Sequence, residues 1–196
     1  DVSRTWIAAY RAINVANNVL ANLSKVSDTD LRQQFEAEAK FIRGTMHFEL
    51  VRLYAKPWGA TANNDGLGVP IALTAVKDET TAAVKKGRDK ISAVYTQVLD
   101  DLSAAAGGLP ETYDGNERFR ASTFTAKAVM ARVYLQQGNY AEALKQADEI
   151  ISSGVFRLNA SAAATFTNKF TNETIMELYN NDQNNAGDSN DGLTTF

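Results

Sequence analysis

The stretch "AEAKFIRGTMHFELVRLYAKPWG" (residues 37–59) decides the fold, because it reads as a long helix without a clean polar face. Pro57 and Gly59 end it. Such a helix either carries an active site or packs against other helices on several sides. The charged residues threaded among its apolar residues are Glu38, Arg43, His47, Glu49 and Arg52.

We interpret these charges as parts of a packed core. His47 is the only histidine of the chain, and no second strong ligand lies at metal spacing on its face, so no metal site or oriented catalytic base is indicated. Arg43 and Arg52 can bury their methylene stems and pair with carboxylates. We therefore expect His47 to be a hydrogen-bonded core residue.

Apolar residues at three- and four-residue spacing predict further helices on both sides of this one. The first helix is expected from Trp6 to Leu23. Ser27 or Asp28 can cap the second, which should run to Tyr54. A third is expected from about Arg88 to Ala106, after a loop rich in glycine, asparagine and proline.

The stretch "TAKAVMARVYLQQGNYAEALKQADEIISSG" (residues 125–154) matches a tetratricopeptide unit, which is a pair of antiparallel helices about 34 residues long. Small residues at Ala131 and Ala143 should let the two helices approach closely, while Tyr134 and Tyr140 fill the groove between them. Lys127 departs from the pattern, because the repeat usually carries a large apolar residue there.

The predicted fold is mainly α. Residues 1–158 should form a tetratricopeptide-like scaffold of stacked antiparallel helical pairs, in which each pair buries its apolar face on its neighbour. Residues 159–196 should begin a less regular second region, with "ETIMELYN" (residues 173–180) alternating like a strand. Because the chain opens at Asp1 and stops abruptly, we expect it to be part of a longer protein.

Composition excludes several functions. The net charge is −3, and no run of lysine or arginine is long enough to follow a phosphate backbone, which argues against nucleic acid. The absence of cysteine removes thiolate metal sites and cysteine nucleophiles. The chain has no hydrolase, P-loop or dinucleotide-binding motif, and nothing places two carboxylates at a cleft, as a glycosidase would need. We predict no enzymatic activity, no cofactor and no metal.

The helix of residues 37–59 resembles the signature helix of the SusD/RagB family. The agreement also extends along nearly the whole chain in the right order, from "YRAINVANNVLANL" through "GVPIALT" to "NETIMELY". Ala55 replaces a usual glycine, and the chain is about half as long as such proteins usually are. The agreeing residues in the helix are Ala37, Glu38, Ala39, Lys40, Phe41, Arg43, Phe48, Leu50, Val51, Arg52, Leu53 and Tyr54.

The resemblance implies a surface-exposed lipoprotein of the outer membrane in Bacteroidetes-type bacteria. Such a protein works with a TonB-dependent barrel transporter (SusC-like) in polysaccharide uptake and binds a glycan or another nutrient without being an enzyme. We expect such a protein to meet the membrane only through a lipid anchor, and we expect that anchor to lie outside the residues of this chain. The alternative is a tetratricopeptide-type protein–protein interaction scaffold that binds no sugar.

Sugar binding needs a flat aromatic face for the ring and planar polar groups for the hydroxyls. Two segments offer both, the loop "KPWGATANNDG" (residues 56–66) and the segment "LYNNDQNN" (residues 178–185). For Trp58 we favour a hydrophobic plug at the helix end over sugar binding, and the later segment can equally be an ordinary solvated turn. The candidate carbohydrate-binding residues are Trp58, Asn63, Asn64, Asp65, Tyr179, Asn181 and Gln183.

Overall fold

The computed structural model describes residues 2–82, 85–116, 118–168 and 170–179. No strand occurs in these ranges, which contain one isolated antiparallel bridge between Leu67 and Lys90. The prediction of a mainly α fold is confirmed. The α-helices of the described residues are α1 (Val2–Ala21), α2 (Thr29–Tyr54), α3 (Glu79–Ala82), α4 (Ile91–Gly108), α5 (Thr123–Gln136), α6 (Tyr140–Ser152) and α7 (Ala162–Thr167).

Helix α2 is the centre of the stack, as its mixed pattern predicts. It packs against α1 on one side and α4 on the other, and it also reaches α5. Phe48, Leu50 and Val51 are fully buried there. Asp28, rather than Ser27, caps the helix, since its carboxylate accepts hydrogen bonds from the backbone of Asp30 and Leu31.

Gly44 sets the close approach of α2 to α4. A Cβ at this position would lie 3.0 Å from the Cβ of Asp101 and 3.3 Å from the carbonyl oxygen of Val98. A larger residue would therefore push the two helices apart. The remaining neighbours follow in chain order, with α4 packed on α5 and α5 packed on α6. The order of helices is that of an array in which each helix contacts its neighbours.

The α5–α6 pair has the predicted turn and explains the unusual Lys127. Gly138 adopts a φ of 71° between the two helices, a backbone conformation that favours glycine. The Lys127 ammonium lies 2.7 Å from the Glu149 carboxylate, so an ion pair joins α5 to α6 where the repeat usually has an apolar contact. The expectation for Tyr140 is wrong: its side chain is 70% exposed and does not fill the groove.

The chain after α6 is irregular in its described part. The strand expected over residues 173–180 is not formed in residues 173–179, where the backbone N–H of Glu177 donates to the carbonyl of Arg118. A second backbone hydrogen bond joins Arg157 to Asn172. The division at residue 158 stays a prediction.

Within the described residues, none of the helices has the length and apolar character needed to cross a bilayer.

Candidate functional site

Arg43 of α2 binds partners on two other helices. The guanidinium of Arg43 donates to both carboxylate oxygens of Asp101 on α4, at 2.8 and 2.7 Å, and to the amide oxygen of Asn17 on α1, at 3.1 Å. All three side chains are buried. This bidentate ion pair fixes the three central helices against one another and leaves no charge unpaired.

His47 is neutral and its tautomer is determined. The backbone N–H of Ala72 donates to Nε2 over 3.1 Å, so Nε2 carries no proton. Nδ1 therefore carries it and donates to the carbonyl of Arg43, 2.9 Å away. Burial lowers the pKa of His47 to about 4. With both nitrogens engaged, His47 acts as a structural residue, as predicted.

Backbone hydrogen bonds pair residues 66–69 with residues 89–91, and side chains hold residues 70–76 across the helices. The amide of Asn17 donates to the carbonyls of Ala72 and Thr74, and the hydroxyl of Tyr10 donates to Pro70. From the other side, Asp89 accepts from the backbone N–H of Ile71 at 2.7 Å. These bonds replace the strand partners that an extended segment otherwise needs.

The loop that holds Trp58 packs at the C-terminal end of α2. The Trp58 ring contacts the Tyr95 ring edge-on, with centroids 4.9 Å apart, and packs against the hydrophobic core. Asn64 accepts a hydrogen bond from the backbone of Gly59, while Asn63 and Asp65 are exposed. Asn63 and Asn64 both have a positive φ, so they shape the turn.

A cluster of exposed aromatic rings lies at the other end of the described chain. We call Phe119, Phe170 and Tyr179 the aromatic platform. The rings of Phe170 and Tyr179 are stacked, with centroids 5.8 Å apart and an interplanar angle of 17°. Phe119 lies 6.0 Å from Phe170 and 5.5 Å from Tyr179. Phe119 is 40% exposed and Tyr179 is 50% exposed, which leaves aromatic surface open to solvent.

The backbone of Phe170 is strained to place its ring in this platform. Its φ is 52°, a region that bulky residues seldom adopt. The Glu177 carboxylate holds it there, accepting from the Phe170 N–H at 2.8 Å and from the Thr174 hydroxyl at 2.9 Å. Strain of this kind costs about 1–3 kcal/mol and is concentrated at functional sites, so it marks the platform as a candidate site.

One open concave surface adjoins the platform, and a second meets it at Met176. The first is an apolar groove of about 220 Å³, whose walls include Phe41, Ile42 and Phe119. The second, which we call the open hollow, has a volume of about 620 Å³ and is lined by residues that include Thr174 and Glu177. Aromatic surface beside polar groups is the arrangement that a sugar ring and its hydroxyls require.

Cations flank the platform, and each stacks on an aromatic ring. The guanidinium of Arg118 lies 4.7 Å from the centre of the Phe156 ring, and that of Arg120 lies 4.5 Å from the Tyr113 ring. Burial, and next the nearby Glu38 carboxylate, raise the pKa of the Tyr113 hydroxyl to about 12. The hydroxyl thus remains a neutral donor, and it bonds the carbonyl of Ala121 at 2.7 Å.

Comparison with known proteins identifies the family. Residues 1–135, more than half of the chain, match the model of a SusD-like family that is described as starch-binding and associating with the outer membrane. The chain belongs to this SusD-like family.

Two relatives from the curated proteins and solved structures are typical of the matches. SusD-like protein P25 of Formosa agariphila is 29% identical over 182 residues, which cover 91% of this chain and 32% of the relative. The crystal structure of a SusD superfamily protein from Bacteroides fragilis superposes with a TM-score of 0.81 at 25% identity, over 92% of this chain and 41% of the other.

A laminarin-binding SusD-like protein of known structure is also similar. It matches with a TM-score of 0.74 and 28% identity, over 88% of this chain and 36% of its own. The present SusD-like chain spans about a third of the length of the curated relatives it matches. The family resemblance read from residues 37–59 is confirmed.

The structure of this SusD-like chain does not bring all the candidate sugar-binding residues together. Trp58 and its loop lie beyond the C-terminal end of α2, whereas the groove beside the platform includes Ile42. Twelve residues of helix separate Ile42 from Tyr54, which is roughly 18 Å at 1.5 Å per residue. Tyr179 belongs to the platform, and Asn181 and Gln183 lie outside the described residues.

Phe119 and Phe170 are the platform residues that the sequence analysis missed. Phe119 lies in an irregular connection, "GNERFRAS" (residues 115–122), and Phe170 follows the short α7. The available signal was the aromatic residue between two arginines at positions 118 and 120. This signal did not show that Phe119 would meet Tyr179, because Phe119 is far from both Phe170 and Tyr179 in sequence.

Proposed function

We propose that this protein is a non-enzymatic, glycan-binding member of the SusD-like family that holds its ligand on the aromatic platform. The observation that carries the proposal is the stacked and partly exposed set of Phe119, Phe170 and Tyr179, in a chain whose family is described as starch-binding. Open aromatic faces accept the C–H side of a sugar ring, and adjacent polar groups accept or donate to its hydroxyls.

The polar groups at the platform support binding rather than hydrolysis. Glu177 is held by the backbone of Phe170 and the hydroxyl of Thr174, and Glu38 is paired with Arg120 at 2.7 Å. Hydrolysis of a glycosidic bond uses one carboxyl group as an acid and another as a nucleophile or base across the bond. Carboxylates that already bind the backbone and arginine are better suited to orienting a ligand than to transferring protons.

We further propose that the whole protein works at the cell surface, as an outer-membrane lipoprotein beside a SusC-like TonB-dependent barrel transporter. The support is the family description, which includes association with the outer membrane. In this arrangement the helical array of α1 to α6 would be the scaffold, and the platform would present the glycan.

The test is isothermal titration of the chain with neutral oligosaccharides, beginning with maltoheptaose and laminarin oligosaccharides. Saturable binding that is lost when both Phe119 and Tyr179 are replaced by alanine supports the proposal. Product release during incubation, followed by chromatography, would contradict the non-enzymatic part. No saturable binding to a broad panel of plant, host and microbial glycans would contradict the proposal itself.

A second candidate function, a protein-interaction scaffold without sugar binding, is favoured by one surface. Tyr140, Leu144 and Ile151 are 70%, 61% and 72% exposed, and their spacing puts them on one face of α6. Apolar residues grouped on a helix face are typical of contact surfaces. If this function is correct, alanine at Tyr140 and Leu144 abolishes capture of a purified barrel partner while no glycan binds the platform.

A further inference from the structure

The charges around the aromatic platform bear on which glycans can bind there. Three connected concave surfaces lie beside it. The apolar groove is lined by Phe119 itself, the open hollow shares Met176 with the groove, and a small pocket between Tyr113, Arg118 and Phe156 shares Arg120 with the groove. Carboxylates outnumber guanidiniums two to one among the described charged residues on their walls. These residues are Glu38, Glu111, Glu173, Glu177, Arg118 and Arg120.

The guanidinium of Arg120 is already engaged by protein groups. It lies over the Tyr113 ring, and one of its amino groups donates to the Glu38 carboxylate at 2.7 Å. A sulfate or carboxylate is recognised best by two parallel N–H donors on one edge of a guanidinium. A glycan anion that took the amino group now bonded to Glu38 would leave that half-buried carboxylate without its guanidinium partner.

Arg118 is committed in a similar way. Its guanidinium covers the ring of Phe156 and interacts electrostatically with Glu177, the carboxylate that also holds Phe170. Drawing Arg118 toward a ligand anion would remove this interaction and bring the anion close to Glu177. Two negative charges that are brought close together repel each other, and the repulsion is strongest at low ionic strength.

We infer that the platform takes glycans without sulfate or carboxylate groups. The inference rests on the proposed function, since it names the ligand class of the same site. Both arginines serve to position aromatic rings and carboxylates, and the surplus of carboxylates disfavours an anionic polymer.

The test compares each oligosaccharide with its own sulfated derivative. Maltoheptaose, laminarin oligosaccharides and their sulfated forms are titrated into the chain at about 20 mM and about 500 mM NaCl, a range over which exposed charges become screened. We expect a neutral form to bind with an affinity that changes less than about twofold with salt. Its sulfated form should bind at least about tenfold more weakly at low salt. The difference in affinity between the neutral and sulfated forms should become smaller at high salt.

A charge variant tests the effect of the carboxylates, and a second variant elsewhere on the surface is its matched control. Glu111→Gln removes an exposed carboxylate from the wall of the small pocket, and we expect it to strengthen binding of the sulfated form at low salt by about twofold or more. This gain should exceed any change in binding of the neutral form, which carries no charge to be repelled. Asp148→Asn makes the same change on the exposed surface of α6 and should alter neither.

The outcomes separate the two proposals. Tighter binding of a sulfated form than of its neutral parent, weakened by salt, would overturn the inference while leaving glycan binding intact. Absence of saturable binding for both forms of every glycan would overturn the proposed function, and the inference with it.

Discussion

The buried network around Arg43 and the aromatic platform around Phe119 both include arginines and carboxylates, but the two clusters have different roles. Both pair arginines with carboxylates from distant parts of the chain, Arg43 with Asp101 in the network and Arg120 with Glu38 beside the platform. In the network every hydrogen bond is made inside the protein, at distances of 2.7–3.1 Å. At the platform Phe119 and Tyr179 are 40% and 50% exposed. Burial, rather than residue type, separates a structural cluster from a candidate binding surface.

The largest effect expected is from Asp101→Ala, which would leave Arg43 buried without its counter-ion. Breaking a buried pair in this way costs about 3–5 kcal/mol of the free energy of unfolding. Urea denaturation at neutral pH measures it. Asp100→Ala is the matched control, because Asp100 is the preceding residue of α4 and is exposed. Equal losses for the two variants would show that the network contributes no more than a surface charge.

His47 should make stability depend on pH. Its pKa is about 4 in the folded protein and about 6.5 when unfolded, so between these values the unfolded chain binds a proton that the folded chain does not. The contribution is fully present above pH 6.5, is lost as the pH falls toward 4, and levels off below. The total is about 3 kcal/mol, at about 1.4 kcal/mol for each pKa unit.

Urea denaturation at a series of pH values between 4 and 7 measures this loss. His47→Gln should flatten the dependence between pH 5 and 6.5, because the chain has no other histidine. An unchanged slope in the variant would show that another group is responsible.

Trp58→Ala should reduce stability and leave glycan binding alone. Removing a fully buried tryptophan costs about 3–5 kcal/mol, and since this ring is half-buried on Tyr95 we expect about 2 kcal/mol. Thermal unfolding and glycan titration of the same variant measure the two quantities. A weaker glycan affinity with unchanged stability would make the Trp58 loop the binding site.

Tyr179→Ala should give the converse result and the smallest change in free energy. Losing one stacking ring costs about 0.5–1.5 kcal/mol, which is a fall in glycan affinity of about twofold to twelvefold. Stability should change little, because half of the side chain is already exposed. Tyr140→Ala, which removes an exposed tyrosine from α6, should affect neither quantity. Similar losses of affinity in both variants would remove the distinction between the platform and the rest of the surface.

The fold was largely predictable from the sequence, and the site was not. The helix over residues 29–54, its aspartate cap and the α5–α6 turn follow from local rules on periodicity and capping, which act within a few residues. Tyr140 was misplaced because a repeat pattern assigns a residue to a groove, whereas actual burial depends on which neighbours are present. The platform was missed because Phe119 and Phe170 meet only after the chain has turned back on itself.

The sequence by itself determined that this is a mainly α chain of the SusD-like family with a helix packed on several sides, because helix periodicity and the family pattern are local properties of the chain. Only the tertiary structure decided where each charge of that helix found its partner. It also decided that Trp58 packs against the core while Tyr179 joins two phenylalanines at the surface. Burial and partner choice are set by contacts between residues distant in sequence, which no short motif contains.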